Sequence, residues 1–281
     1  MKTILIPAED HDSMPSVLET ARLVAKRFDS YMEGLAVKPG AAEYLTVDPL
    51  SNLTMPHGDD GDSEIEHHAR NMFEAFMAAS NVPLAHSQSD GPATYSYGWP
   101  RASAETDSFI GSYGRLFDLI VLGRPGRAPQ NPRMAPIETA LFESGRPVLI
   151  APPSPPGDLG RNVLIAWNGS TEQARTTEFA LPLLHVAERV TVLSVEGGMT
   201  PGPTGEGVAL HLRRNGIPAA AVTLGSGTRT TGEFILDQAK SLGCDLLVKG
   251  AYTQSRMRQM IFGGATRHIL GHATLPVLMA H

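Results

Sequence analysis

Residues 245–281, DLLVKGAYTQSRMRQMIFGGATRHILGHATLPVLMAH, read as strand, glycine turn, basic loop, second glycine turn, helix and strand. Leu246, Leu247 and Val248 form a short apolar run ended at Gly250, the pattern of a strand buried on both faces of a parallel sheet. Gly263 and Gly264 open a predicted helix from about Ala265 to Gly271, and Leu275 to Met279 return as another buried strand. The first NH groups of a helix have no partner within it and carry partial positive charge, so phosphate oxygens are natural guests there. Arg256, Arg258 and Arg267 lie within reach along the chain as counter-charges. The stretch points to a phosphate cradle at the end of a parallel sheet.

Working outward, the chain repeats itself. KTILIPAED from Lys2 answers RNVLIAWNG from Arg161, FDLIVLGRPGRA from Phe117 answers CDLLVKGAYTQS from Cys244, and RPVLIAPP from Arg146 answers LPVLMAH from Leu275. Each unit alternates strands with helices, which requires crossover connections and a parallel sheet covered on both faces. The expected fold is α/β: two tandem, doubly wound, five-stranded parallel sheets, each in order 3-2-1-4-5, packed about a pseudo-twofold axis. The first domain is read over 1–152 and the second over 161–281, joined through PPSPPGDLG at 152–160, whose prolines favour an extended linker at 153–160.

Composition narrows the function classes. A formal net charge of −6 leaves no global basic footprint, so nucleic acid is not an expected partner. No apolar stretch is long enough to span a bilayer, and TILIP at 3–7 starts a strand without the basic and apolar regions of a secretory signal. Cys244 is the only cysteine, which rules out an internal disulfide and fits a cytoplasmic setting. Its place beside a buried strand gives it a packing role.

In the first domain Thr3–Ala8 is predicted as a strand, about Pro15 to Phe28 as an amphipathic helix, Met32–Val37 as the second strand, Ala104–Arg115 as a helix and Leu119–Leu122 as the fourth strand. Between Val37 and Pro83 it carries 23 residues more than the matching interval of the second domain. That surplus, at about 38–66, is rich in Gly, Pro, Asp and Ser and reads as a long loop or lid entering a helix at about Ser63 to Ser80. It holds the chain's best metal-like cluster, with His57, Asp59, Asp60, Asp62, Glu64, Glu66, His67 and His68. No second Glu-x-x-His copy and no cysteine completes a ligand set, and carboxylates at a solvated helix start explain Asp62, Glu64 and Glu66 without metal. His268 and His272 form an i, i+4 pair that lacks a third ligand.

The second domain reads as a strand at Val163–Ala166, a helix that Ser170 and Gln173 begin as in a capping box and that Pro182 should bend or shorten, and strands at Val190–Val195 and Ala219–Leu224. Thr230 with Glu233 resembles a second capping box.

At these residues the chain resembles the universal stress protein family, whose nucleotide motif is G-x2-G-x9-G-[ST] between the fourth strand and the last helix. Gly250 and Gly263 match its first and third glycines at the thirteen-residue offset. Thr253 stands in place of the second glycine, where a Cβ restricts positive φ and close backbone approach, and Gly264 replaces the first serine or threonine, with Thr266 supplying a hydroxyl two residues on. The resemblance covers both halves. It implies a Rossmann-like, adenine nucleotide alpha hydrolase-like fold, pairing through the fifth strands as a pseudo-dimer, and a further homodimer between chains. It also implies ATP or another adenine nucleotide as cofactor, with Mg2+ beside it, in a stress-response role. Asn168 stands where the family has its adenine-contacting aspartate, and backbone near Val195 would meet the base. Gly250 and Thr253 would border the ribose and phosphates, and the NH groups of Gly263, Gly264, Ala265 and Thr266 would hold phosphate oxygens.

In the first half, Gly123 and Gly126 reproduce the first two glycines, but Pro136 occupies the third position and removes the NH that would reach a phosphate. Glu9 stands at the aspartate position. That half reads as a degenerate site or a structural partner, although Arg124, Arg127 and Arg133 in its loop could attract an anion. No G-x-S-x-G elbow is present, GSGTRTTGE at 225–233 lacks the G-K-[ST] ending of a P-loop, and no dinucleotide fingerprint follows the first strand. Two classes stand open at this point: a nucleotide-binding stress protein, or an interaction module of the same fold that takes no nucleotide. A slow nucleotide hydrolase or metal-dependent enzyme is a weaker third.

Overall fold

The computed structural model describes residues 1–39, 59–85, 91–101, 103–126, 128, 130–251 and 264–281, with the backbone alone for 59–62. The first half runs β1 (Thr3–Ala8), α1 (Met14–Phe28), β2 (Tyr31–Lys38), α2 (Asp59–Ala79), β3 (Ser96–Gly98), β4 (Glu105–Thr106), α3 (Asp107–Tyr113), β5 (Leu119–Gly123), α4 (Ala135–Glu143) and β6 (Val148–Ala151). The second runs β7 (Asn162–Trp167), α5 (Thr171–His185), β8 (Arg189–Glu196), α6 (Gly205–Arg214), β9 (Ala219–Gly225), α7 (Thr231–Ser241), β10 (Leu246–Val248), α8 (Gly264–His272) and β11 (Val277–Met279).

Strand order along the sheet is β3-β2-β1-β5-β6-β11-β10-β7-β8-β9. Each half therefore has the expected 3-2-1-4-5 order of parallel strands. The halves meet through their fifth strands, β6 and β11, which pair antiparallel with Val148 opposite Met279, Leu149 opposite Leu278 and Ile150 opposite Val277. This is the fifth-strand pairing that the resemblance implies, and it joins the two five-stranded sheets into one continuous sheet: hydrogen bonds continue across the junction, because leaving β6 and β11 as bare edges would strand their NH and C=O groups.

Strand alternation sorts the core into two layers. In β1, Ile4, Ile6 and Ala8 join the cluster under α1, α2, α5 and α6, which includes Val17, Phe73, Leu183 and Leu212. Leu5 between them joins the opposite layer with Ile110 of α3, Ile137 of α4, Ile235 of α7 and Ile269 of α8. Both faces are covered in both halves, which is why the central strands read as unbroken apolar runs. Among the described residues no helix is long and apolar enough to cross a membrane.

Four local expectations change. β4 forms ahead of α3 and pairs with the end of β2, Val37 opposite Glu105 and Lys38 opposite Thr106, so the helix predicted from Ala104 starts at Asp107. Glu66 is not on a solvated helix start: it is 3% exposed and accepts a 2.7 Å bond from the Trp99 indole Nε1. Trp99 lies against Gly34 and Phe73, so this aromatic packing carries Glu66 inward with it. His67 and His68 remain exposed on α2, and His57 lies outside the described residues. The linker is pinned: Arg27 donates to Asp158 at 3.1 Å, Leu159 is buried, and the NH of Gly160 meets Asp245 Oδ1 at 2.9 Å. α5 runs on through Pro182 to His185 without shortening.

Candidate functional site

In the second half the strand order reverses at β7, between β8 and β10, which leaves a crevice at the carboxyl ends of these strands. A cavity of about 400 Å³ lies there, with the end of β7 (Ala166, Trp167, Asn168), Leu193 and Val195 of β8, the start of α7 and the start of α8 around it. Its walls are apolar and buried at Leu193, Val195 and Ile235, while Asn168, Thr230, Thr231, Lys249 and Thr266 bring polar groups. One apolar slot with a few converging polar groups is the usual form of a small-molecule site.

Local chemistry holds each wall. Asn168 ends β7 in an Asx turn, its Oδ1 accepting from the Ser170 NH at 3.2 Å, while its carbonyl accepts from both NH and Oγ1 of Thr200, at 2.7 and 3.0 Å. The Asn168 side-chain NH2 has no partner among the described residues. The chain leaves β8 in a turn closed by the Gly198 NH on the Val195 carbonyl at 3.0 Å, with Gly197 at φ 77°. α7 starts with the expected reciprocal cap: Thr230 Oγ1 accepts from the Glu233 NH, and Glu233 Oε2 accepts from the Thr230 NH at 2.8 Å. α8 then presents Gly264, Ala265 and Thr266 as its first turn, with Gly232 of α7 packed so tightly that a Cβ there would meet His268 Cβ at 2.7 Å.

Of the residues predicted for the site, Asn168, Val195, Gly264, Ala265 and Thr266 line this one cavity. Thr253 and Gly263 lie outside the described residues, as do Arg256 and Arg258. Gly250 is not on the lining. Its NH donates to Gln173 Oε1 at 2.7 Å, and a Cβ there would fall 2.6 Å from the Gln173 backbone nitrogen. The glycine is thus required by the close approach of α5. Gln173 correspondingly makes only half of the expected capping box: its NH reaches Ser170 Oγ at 3.1 Å, but its side chain turns to β10 instead of back to the cap.

Lys249 is the site residue that glycine spacing did not find. Alternation carries Leu246 and Val248 to the α5 layer and Leu247 to the α7 and α8 layer, so Lys249 points with Leu247, into the cavity, and Gly250 points away. Only 6% exposed, it donates from Nζ to the Gly250 carbonyl at 2.7 Å. Burial pulls its pKa down to about 8, with the Glu172 carboxylate opposing that shift. A charged residue closing the apolar run LLVKG was the available signal.

The equivalent crevice of the first half is filled by its own loop. Arg133 donates to Glu9 Oε1 from Nε at 2.8 Å and to Asp107 from both terminal nitrogens at 2.8 and 2.7 Å. Burial works against its charge, but the bonds and charges of Asp107 and Glu9 outweigh that and raise its pKa. Pro132 lies where a Cβ on Gly123 would be, at 2.5 Å. Arg133 is therefore occupied, and the expectation that it could attract an anion is corrected. Arg124 reaches across to the Gly271 carbonyl of the second half, and Arg127 lies outside the described residues.

Residues 160–281 match the model of the Universal stress protein family. In fold, 99% of the chain overlays 97% of a universal stress protein from Archaeoglobus fulgidus DSM 4304, with a TM-score of 0.73 at 15% identity. The whole chain also overlays 92% of a functionally unknown protein from Pseudomonas aeruginosa PAO1, with a TM-score of 0.56 at 14% identity. At these identities the likeness is one of fold. No curated protein matches the chain in sequence.

Proposed function

With residues 160–281 a domain of the universal stress protein family, we propose that this protein binds ATP or another adenine nucleotide in its second half, in a stress-response role. The observation that carries the reading is the junction, in one cavity, of an apolar slot at the strand switch point with the open first turn of α8. The base would lie between Leu193, Val195 and Ile235. Asn168, its oxygen already taken by Ser170, offers its amide NH2 to a ring nitrogen of the base. The phosphates would run toward the NH groups of Gly264, Ala265 and Thr266 and the Thr266 hydroxyl, with Mg2+ accompanying them. The reading is one of binding; among the described residues Lys249 is the titratable side chain of the lining. The same reading carries a cytoplasmic setting, where the lone Cys244 stays a thiol; burial raises its pKa to about 11 and makes it a poor nucleophile.

Titration calorimetry with ATP and adenosine on the wild type and on Gly264→Pro tests this. Proline is tolerated in the first turn of a helix, and a Cβ on Gly264 meets nothing within 4 Å among the described residues, so the variant should fold while losing one cradle NH. The expected result is ATP binding that weakens about ten-fold in the variant with adenosine unaffected. Wild-type protein that takes up no adenine nucleotide at millimolar concentration would refute the reading.

A further inference from the structure

The geometry points to Lys249 as the anion-recognising residue of the second-half cavity, its ammonium serving as counter-ion to a phosphate group seated between Nζ and the first turn of α8. The inference rests on the nucleotide reading only for the identity of the rest of the ligand.

A buried lysine is costly to keep charged unless something opposite compensates it. Here one of three N–H donors meets an acceptor, the Gly250 carbonyl, and the other two have none among the described residues. No carboxylate forms an ion pair with it among the described residues. The acidic group that acts on it is Glu172 of α5, beyond the sheet end. Glu233 at the start of α7 is held by the NH and hydroxyl of Thr230. The charged or titratable groups of α8 are Arg267, His268 and His272, none of them acidic. From β7 and β8 the cavity receives Asn168 and apolar side chains. An ammonium and the positive end of a helix thus share one small, largely apolar space. Their combined charge makes an anion with several acceptor oxygens the complementary guest, and the two unused N–H donors set where its oxygens go. Gly250, turned the other way by strand alternation, leaves Lys249 as the strand-end group that faces the ligand.

The proton on Lys249 then belongs to the binding reaction. With the free pKa near 8, a bound anion holds that proton more tightly, so affinity declines as pH rises from about 8 toward 10. The test is calorimetry with ATP, inorganic pyrophosphate and adenosine at pH 7 and 9.5, on wild type, Lys249→Met and Lys249→Arg, with melting temperatures measured alongside. At pH 7 Lys249→Met should lose about ten-fold or more in affinity for ATP and pyrophosphate, keep its affinity for adenosine and keep or raise its melting temperature. It should also lose the decline between pH 7 and 9.5, while Lys249→Arg retains most of the binding at both pH values. Equal affinity of Lys249→Met and wild type for ATP overturns the role of Lys249 and leaves the nucleotide reading standing. Pyrophosphate binding that depends on Lys249, with no gain from adenine, upholds the role and overturns the nucleotide reading. A wild type that binds none of the three overturns both. Loss of adenosine and ATP affinity in equal proportion, with a lowered melting temperature, makes Lys249 a packing residue.

Discussion

Arg133 and Lys249 show how one side chain decides what a crevice can do. In the first half the guanidinium is clamped between Glu9 and Asp107, with side-chain exposures of 20%, 11% and 12%. Removing it leaves two largely buried carboxylates facing each other, so Arg133→Ala should cost on the order of 3 kcal/mol in urea denaturation. Arg133→Lys should recover only part, because an ammonium cannot reproduce the fork. In the second half the cation has no such partner among the described residues, and the sign of its effect is opposite. Its folded pKa of about 8 lies below the ordinary 10.5, so the unfolded chain binds the proton more tightly. The penalty is complete below about pH 8, shrinks as pH rises toward 10.5 and is absent above. Lys249→Met should therefore stabilise the ligand-free protein at pH 7, by up to on the order of 3 kcal/mol, with the gain gone by pH 11; a gain independent of pH would contradict this origin.

Between elements, contacts at van der Waals range set the roles of the glycines. Gly250 lets the first turn of α5 come down on the end of β10, where the Gln173 backbone nitrogen, the Gln173 Cα and the Glu172 carbonyl carbon would lie 2.6, 2.8 and 2.9 Å from an added Cβ. All three are backbone atoms of a packed helix and cannot step aside as a side-chain tip would. Gly250→Ala should thus destabilise by about 1–3 kcal/mol by thermal or urea unfolding. Gly264→Ala, whose Cβ meets nothing within 4 Å among the described residues, should change stability little. A phosphate-contacting role at Gly250 would predict the reverse pattern, with affinity lost and stability kept. The glycine spacing was legible in the sequence, but which glycine faces a ligand and which faces a helix depends on the side of the pleat on which each falls.

The two halves form one sheet because each fifth strand offers the other a short antiparallel edge of the same apolar character, VLIA against VLM, with three residues of each in register. Such an isologous edge is self-complementary. Residues 160–281 produced alone should bury the exposed β11 edge by pairing it with β11 of a second copy, and light scattering should report a dimer at micromolar concentration. A stable monomer would show that β6 supplies something β11 cannot. In the intact chain the junction is reinforced by Arg124 on the Gly271 carbonyl and by the edge-on contact of the Phe142 and His281 rings.

The order of strands and helices apart from β4, the internal repeat, the α7 cap and the start of α8 were determined by the sequence alone. They depend on hydrophobic period, on turn and cap residues and on NH groups that a helix leaves free, all properties of a few consecutive residues. Tertiary structure alone decided that Glu66 is buried under Trp99, that Gln173 leaves its cap for Gly250, that Arg133 fills one crevice and that Lys249 faces the other without a carboxylate partner among the described residues. Each of these depends on which side chain a distant element places opposite, and whether a charge is paired, buried or left facing a cavity is settled only when those surfaces meet.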